Sequence, residues 1–529
     1  MPRTRGVHAA AKPGRPRRGT SSPPVPRPRR PVPDDAAPPV RYSLAHVVRS
    51  YAADAAAALV VAVVVPLAML QLPDAIEWAI PVRFTGAGPG AVTSLMRASA
   101  LALVAMAVAV PAGALAVRRF RAWPVLITGL AVVAVGDLVG STAATVGQIG
   151  IDRALHGAGA GIALAAAIAL AAERRGLAGG RTRAGQAIAG WWAASAVAGL
   201  ACAAELMKHR LAAGDWRAAL LPYPWLTGVA LGVAALYALL AETKVTASTR
   251  NDFPVAERAM LAQLAVPVTG MCVVAIAVTY GRSEAVTAAA IAEALSLACL
   301  AVATARAGTA RWFAVACAVT GFTVAPAAGD ATDLMRAGTV TGAPLIERVG
   351  HFALTQAELC GIALCVAALA GAGAAIAAPA SRTKLVSGTG LLVAAAGFAA
   401  AYATGPHSQL LAVICLPVAA GLSAALTAGQ RGTGAPGAMC GGVLMLAGVL
   451  AGYLADGALQ LHALDHAVSG TAAVHAALFS ADARWNVVAA AVTGVAGLAA
   501  LASTHLRQHA RSPAPVSLAS PPPAVLPGS

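Results

Sequence analysis

The chain has 529 residues, 58% of them hydrophobic and only 11% charged, and its mean hydropathy is +0.72. A soluble domain carries about 25% charged residues, so this composition excludes a soluble globular protein and points to one that crosses a membrane many times. The formal net charge of +16 is concentrated near the start rather than spread along the chain.

Residues 1–50, with the segment "RPRRGTSSPPVPRPRRPVPDD", are rich in Arg and Pro, and Asp34 and Asp35 are the acids there. No hydrophobic pattern runs through them, which predicts a disordered basic tail. Such a tail binds anionic lipid at about 1 kcal/mol per nearby cation, binds nucleic acid, or is simply a solvated segment that holds this end in the cytoplasm. The last reading is preferred, and nucleic acid is not an expected partner.

From Tyr51 onward, apolar runs recur at the length of about 20 residues that a helix needs to cross a bilayer core. The runs are continuous rather than alternating, so they predict helices and not barrel strands. Fourteen spans are expected, near 51–71, 96–117, 123–144, 148–171, 185–206, 219–241, 259–280, 285–305, 311–330, 348–372, 385–404, 408–428, 437–458 and 485–505. Basic residues cluster in alternate loops: Arg118, Arg119 and Arg121, then Arg174, Arg175, Arg181 and Arg183, then Lys244, Arg250 and Arg258. The pattern continues through Arg306 and Arg311, Arg382 and Lys384, Arg431, and finally Arg507 and Arg511. The intervening loops near 145 and 405 hold no Lys or Arg, and 207–217 is the exception. By the positive-inside rule both termini are cytoplasmic, which predicts a multi-pass plasma-membrane protein.

An internal repeat sets "ALAVRRFRAWPVLITGLAVVAVG" (114–136) above "AIAAPASRTKLVSGTGLLVAAAG" (375–397). Arg121 then falls on Arg382, Gly129 on Gly390 and Gly136 on Gly397, and each segment puts a basic turn between two spans. Removing spans seven and eight leaves six plus six. The expected division is a tail (1–50), a six-helix bundle (51–241), a loop with two inserted helices (242–310), a second six-helix bundle (311–505) and a disordered cytoplasmic tail (506–529). Parallel halves of this kind are an architecture of secondary transporters.

Ionisable residues inside spans are expensive and mark function by default. Glu358 in "HFALTQAELCGIALC" is expected nearest the middle of its span, with His351 two turns away on the same face and Thr355 between them. It is read either as a proton-carrying carboxyl or as one fixed by neighbouring hydroxyls or an Arg. Asp137 in span three has Arg153 in span four as its expected partner, while Asp152 is taken as interfacial. Glu293 lies in inserted span eight, and Asp54 and Asp456 lie near span ends. The eight cysteines sit in or beside apolar runs without a CxxC spacing, so they read as small core residues rather than ligands. His462 and His466 are four apart, but no third ligand is in view and no metal is expected. No Walker motif and no nucleophile–base pair is present, so neither a cofactor nor an enzyme is expected.

The motifs between about Val110 and Glu242 resemble the major facilitator superfamily, and within it the drug:proton antiporter branch with fourteen spanning helices. The cytoplasmic gate motif of that family, G-x-L-a-D-r-x-G-r-r, is matched by Gly113, Leu115, Ala116, Arg118 and Arg121, with Val117 in place of the Asp and Phe120 in place of the second Gly. The motif R-x-x-Q-G is matched by Arg153 and Gly157, with His156 in place of the Gln. The span-five antiporter motif is matched at Gly199, with Leu200 in place of Pro. The resemblance implies an all-α fold of two six-helix bundles plus two extra helices. It also implies proton-coupled efflux of small amphipathic organic compounds, with membrane lipid as surroundings and protons as the second partner. Glu358, Asp137, Arg153 and His351 are the expected proton-coupling residues, and Gly157 and Gly199 the helix-packing ones. The alternative is a transporter-like protein without antiport: a uniporter, a metabolite or lipid carrier, or a scaffold. The arginines after Leu115 are read as a topological signal at a helix C-terminus, or as a gate that pairs with a carboxylate from elsewhere.

Overall fold

The computed structural model describes residues 44–511 apart from 73–93, 96, 178–182, 212–219, 222, 242–254, 279–282, 307–310, 342–346, 350–351, 355, 405–407, 432 and 467–470. Fourteen α-helices are described, in the order of the expected spans. They are α1 (Leu44–Met69), α2 (Leu101–Arg119), α3 (Ala122–Thr142), α4 (Val146–Leu177), α5 (Arg183–Leu211), α6 (Pro224–Ala241) and α7 (Val255–Val278). The remainder are α8 (Ser283–Arg306), α9 (Arg311–Thr341), α10 (Gln356–Ala377), α11 (Thr383–Thr404), α12 (Ser408–Arg431), α13 (Ala435–Asp465) and α14 (Thr471–Arg511). Among the described residues, eleven helices are long and apolar enough to cross a membrane, and shorter apolar stretches lie at Gln263–Val278 and Trp312–Ala328.

Two boundaries bear on function. The expected span at 348–372 starts too early: a short antiparallel pair, β1 (Glu347–Val349) and β2 (Phe352–Leu354), precedes α10, which begins at Gln356. Gly350 disfavours carrying a helix through this stretch, and strand pairing supplies the backbone partners instead. At the end of the chain, α14 begins at Thr471, fourteen residues before the expected start. Residues 44–50 and 506–511, expected in the tails, belong to α1 and α14.

Side chains are distributed inside out relative to a soluble protein. Val266, Leu239, Leu138, Val495 and Leu295 are all more than 60% exposed, while Asp152, Arg153, His156, Arg174, Glu293, Asp456 and Asp482 are buried. Hydrocarbon accepts the former at no cost and rejects the latter.

The helix pairing repeats after eight helices. α2 packs on α4, and α3 on α4 and α6; likewise α10 packs on α12, and α11 on α12 and α14. Between these two sets the contacts exchange: α5 packs on α10 and α12, and α13 on α2 and α4. The match extends to single residues. A Cβ on Gly129 would stand 2.7 Å from Ala163 N and 2.9 Å from the Gly159 carbonyl oxygen; one on Gly390 would stand 3.0 Å from Ala425 N and 2.5 Å from the Gly421 carbonyl oxygen. Both positions therefore bring two backbones together where no side chain fits, the usual way helices associate in lipid. Gly199 serves α5 in the same manner, its missing Cβ lying 3.0 Å from Pro66 Cα of α1. α7 and α8 pack on each other and on α13.

Candidate functional site

The site is built on the end of α3 and the start of α4. Gly136 and Gly140 are one turn apart on α3, and a Cβ at either would meet α4 side chains: 3.1 Å from His156 Nε2 for Gly136, and 2.6 Å from Asp152 Oδ1 for Gly140. The two glycines thus make the room that an imidazole and a carboxylate occupy. On the opposite side of α4, Gly157 lies against the Ala102 carbonyl of α2 so closely that a Cβ would strike it.

Asp137 projects from α3 between those glycines. His156 Nε2 and Asp137 Oδ1 are hydrogen-bonded at 3.1 Å, and His156 Nδ1 stands 3.0 Å from Asp152 Oδ1, one helical turn earlier. His156 and Asp152 are fully buried, while the Asp137 side chain keeps 13% exposure. The chemistry follows from counting protons. A neutral imidazole carries one N–H and one lone pair, and a lone pair 3 Å from a carboxylate oxygen is repulsive. Hydrogen-bonding both carboxylates at once takes two N–H protons, one more than a neutral imidazole carries. Imidazole is the side chain whose ordinary titration lies nearest neutrality, and Asp137 is the member with access to the surroundings.

Arg153, 2% exposed, reaches away from the ring. Its Nη2 donates to the Gln71 carbonyl oxygen at 3.0 Å and its Nε to that of Ser99 at 3.3 Å. Gln71 follows α1 and Ser99 precedes α2, so one guanidinium fastens the α1 and α2 ends to α4. One expectation is corrected here. The partner of Asp137 is His156 rather than Arg153, because the ring sits opposite Asp137 while the longer side chain spans to the helix ends. Asp152 is fully buried, with α3 and Leu220 over it: its Oδ1 and the Leu220 carbonyl oxygen flank Gly140.

A second polar group occupies the other end of α4. Arg174 Nη1 lies 3.4 Å from Asp54 Oδ1 of α1, and its guanidinium carbon is 5.4 Å from the centre of the Tyr237 ring of α6. Asp54 keeps 20% exposure and Arg174 only 3%.

Of the gate-motif residues, Gly113 within α2 packs on Ile162 and Ala165 of α4. Leu115, Arg119 and Arg121 are exposed and Arg118 is half-buried. Val117, in the place of the motif's acid, is 1% exposed in the apolar core, and Leu200, in the place of the antiporter proline, is 3% exposed. Glu358 falls in the first turn of α10 instead of at mid-span, since that helix starts two residues before it. His351 lies outside the described residues. At the end of α13, His466 Nδ1 and the His462 carbonyl oxygen are 2.8 Å apart. Among the described residues, no group of three or more His, Cys, Asp or Glu is placed to hold a metal.

No family model and no curated protein matches the chain in sequence. Solved structures match it in shape. The human organic anion transporter MFSD10 aligns with a TM-score of 0.51 at 14% identity, covering 84% of this chain and 99% of that one. The peptide transporter POT aligns with a TM-score of 0.49 at 15% identity, covering 85% and 94%. The major facilitator superfamily proton:xylose symporter XylE aligns with a TM-score of 0.47 at 12% identity, covering 86% and 95%. At 14% identity the likeness is one of fold alone: the chain shares the helical fold of MFSD10.

Proposed function

We propose that this chain is a secondary active transporter that exports small amphipathic organic compounds across the plasma membrane in exchange for protons. All fourteen helices cross the membrane with both termini cytoplasmic, and the α1–α6 and α9–α14 bundles rock about a central path while α7 and α8 ride between them. Support for the halves comes from the pairing that repeats after eight helices. The observation that carries the proton coupling is the imidazole held between two carboxylates inside spanning helices. Asp137 admits the proton, His156 holds it, and Asp152 keeps the ring oriented, while Arg153 ties this end of α4 to α1 and α2. The cytoplasmic arginines Arg118 and Arg121 close the opposite end without the motif's own acid.

The test uses the full chain in sealed vesicles with a pH-sensitive dye inside. A panel of amphipathic compounds is expected to trigger proton flux with the unaltered protein. Asp137→Asn and His156→Gln are expected to abolish it at equal reconstitution. Glu358→Gln is the parallel test of that carboxyl, and unchanged flux removes it from the coupling. One observation favours the reading without antiport: Val117 leaves the basic turn with no acid of its own. Compound uptake that persists when the proton gradient is collapsed would establish that reading in place of antiport.

A further inference from the structure

The inserted pair α7–α8 carries a polar group that the triad does not use. The buried stripe of α8 comprises Val286, Ala289, Ala290, Glu293, Leu297 and Ala301, the spacing of one helical face. Glu293 is its single ionisable member, the eleventh residue of a helix of 24. It is 2% exposed, and among the described residues neither Oε1 nor Oε2 has a hydrogen-bond partner. Its charged-group surroundings are sparse: among the described residues, the titratable side chain close enough to sense it is Cys272, a buried thiol on α7. No cation among the described residues pairs with it, in contrast to Asp54 beside Arg174.

A carboxylate at this depth without a donor or counter-charge is among the costliest groups a protein can bury. A structural role would come with a partner, as with Arg431, whose Nη1 donates to the Ala375 and Ala378 carbonyl oxygens at the end of α10. Glu293 has none, so the structure leaves it suited to a ligand that brings both charge and a hydrogen-bond donor. The smallest such ligand is a proton. Leu297 and Ala301 of the same stripe also line an apolar cavity of about 720 Å³ that Val319 and Phe322 of α9 and Val492 and Val495 of α14 complete.

We propose that Glu293 is a proton-binding site of the inserted helix pair, separate from the Asp137–His156–Asp152 triad and placed where α8 packs on α7 and α13. The pair is then a titratable element and not a passive spacer between two bundles.

The experiment uses the full chain in lipid nanodiscs treated with dicyclohexylcarbodiimide, an apolar reagent that adds to protonated carboxyls, with the modified residue located by peptide mass spectrometry. Glu293 is expected to be modified, and on the alkaline side of its midpoint the yield is expected to fall about tenfold per pH unit, as a single titrating proton dictates. A water-soluble carbodiimide is expected to leave it untouched. Glu293→Gln removes the adduct; should that variant fail to accumulate, Glu293→Asp retains a pH-dependent one. His156→Gln is expected to leave the Glu293 yield unchanged, which separates this site from the triad and its function. An unmodified Glu293, a yield independent of pH, or protection by sodium or a quaternary ammonium ion at constant pH each overturns the proposal, the last by showing a different cation there.

Discussion

Replacing His156 tests the triad as a unit. His156 and Asp152 are fully buried and their facing atoms are 3.0 Å apart, with Asp137 at 3.1 Å on the other ring nitrogen. At an effective dielectric constant of about 20, each close charge pair is worth about 4 kcal/mol. Burying each ion costs several kcal/mol, so the assembled triad adds little net stability. Removing one member is different, since the desolvation of those that remain is no longer offset. His156→Leu leaves Asp152 uncompensated and is expected to destabilise the protein by about 3–5 kcal/mol. Adding Asp152→Asn and Asp137→Leu removes the stranded charges and is expected to recover all but about 1–2 kcal/mol, because deleting both sides of a buried polar contact approaches neutrality. His156→Gln should fall between. An amide's two N–H donors share one nitrogen and do not reach carboxylates on opposite sides. The assay is reversible unfolding of the detergent-solubilised protein by a denaturing detergent, followed by circular dichroism. The reasoning is refuted if His156→Leu unfolds at the wild-type midpoint, or if the triple variant is no more stable than the single one.

Three further outcomes follow from the packing. Gly140→Ala places a methyl 2.6 Å from Asp152 Oδ1, whereas Gly147→Ala meets nothing within 4 Å; the first is expected to cost about 1–3 kcal/mol by overpacking and to lower proton flux, the second to be neutral in both assays. Arg174→Ala strands Asp54 and uncovers the Tyr237 ring, and because Asp54 is 20% exposed the expected loss is about 1–3 kcal/mol, below that of a fully buried pair. Cys202 of α5 and Cys365 of α10 are within hydrogen-bonding reach across the contact between the two bundles. A membrane-permeant copper–phenanthroline oxidant is expected to join them, so that a chain cut within 242–254 stays as one band until reduced; reversible loss of transport on oxidation would show that α5 and α10 move apart in the cycle.

What the sequence disclosed follows from what one dimension encodes. Runs of apolar residues set helix order, so the described helices follow the order of the expected spans. Depth and partnership were less accessible. Extending the apolar run back to 348 makes Glu358 central in the sequence, whereas α10 begins at Gln356 and puts it in the first turn. Counting residues from a span end gives no sign of the burial of Asp152, which depends on α3 and on the backbone at Leu220, distant in the chain. As a motif position, His156 reads only as a substitute for glutamine, which hides its acid–base chemistry. A signal was present all the same: Asp152 and His156 share one face of α4, and α3 sets Asp137 between two glycines one turn apart. An acid–imidazole pair on one helix opposite an acid flanked by small residues on the next is a readable constellation.

The two polar groups on α4 acquire meaning from their separation. Asp152 and Arg174 are both on this helix, and at 1.5 Å per residue their Cα atoms are about 33 Å apart, close to the roughly 30 Å depth of bilayer hydrocarbon. On the proposed membrane placement of α4, one cluster lies near each boundary of the apolar slab, where a group exchanges protons with water and still has its fields sharpened by low-dielectric surroundings. Both clusters tie α4 to α1, through Arg153 and Gln71 at one end and Arg174 and Asp54 at the other. A single polar anchor at mid-depth would act as a pivot and leave both ends of this helix pair free to part. Anchors at both ends hold α1 and α4 together, so in the proposed transport cycle opening and closing fall where the paired sets of helices meet, at the α5–α10 and α2–α13 contacts, rather than within the first bundle.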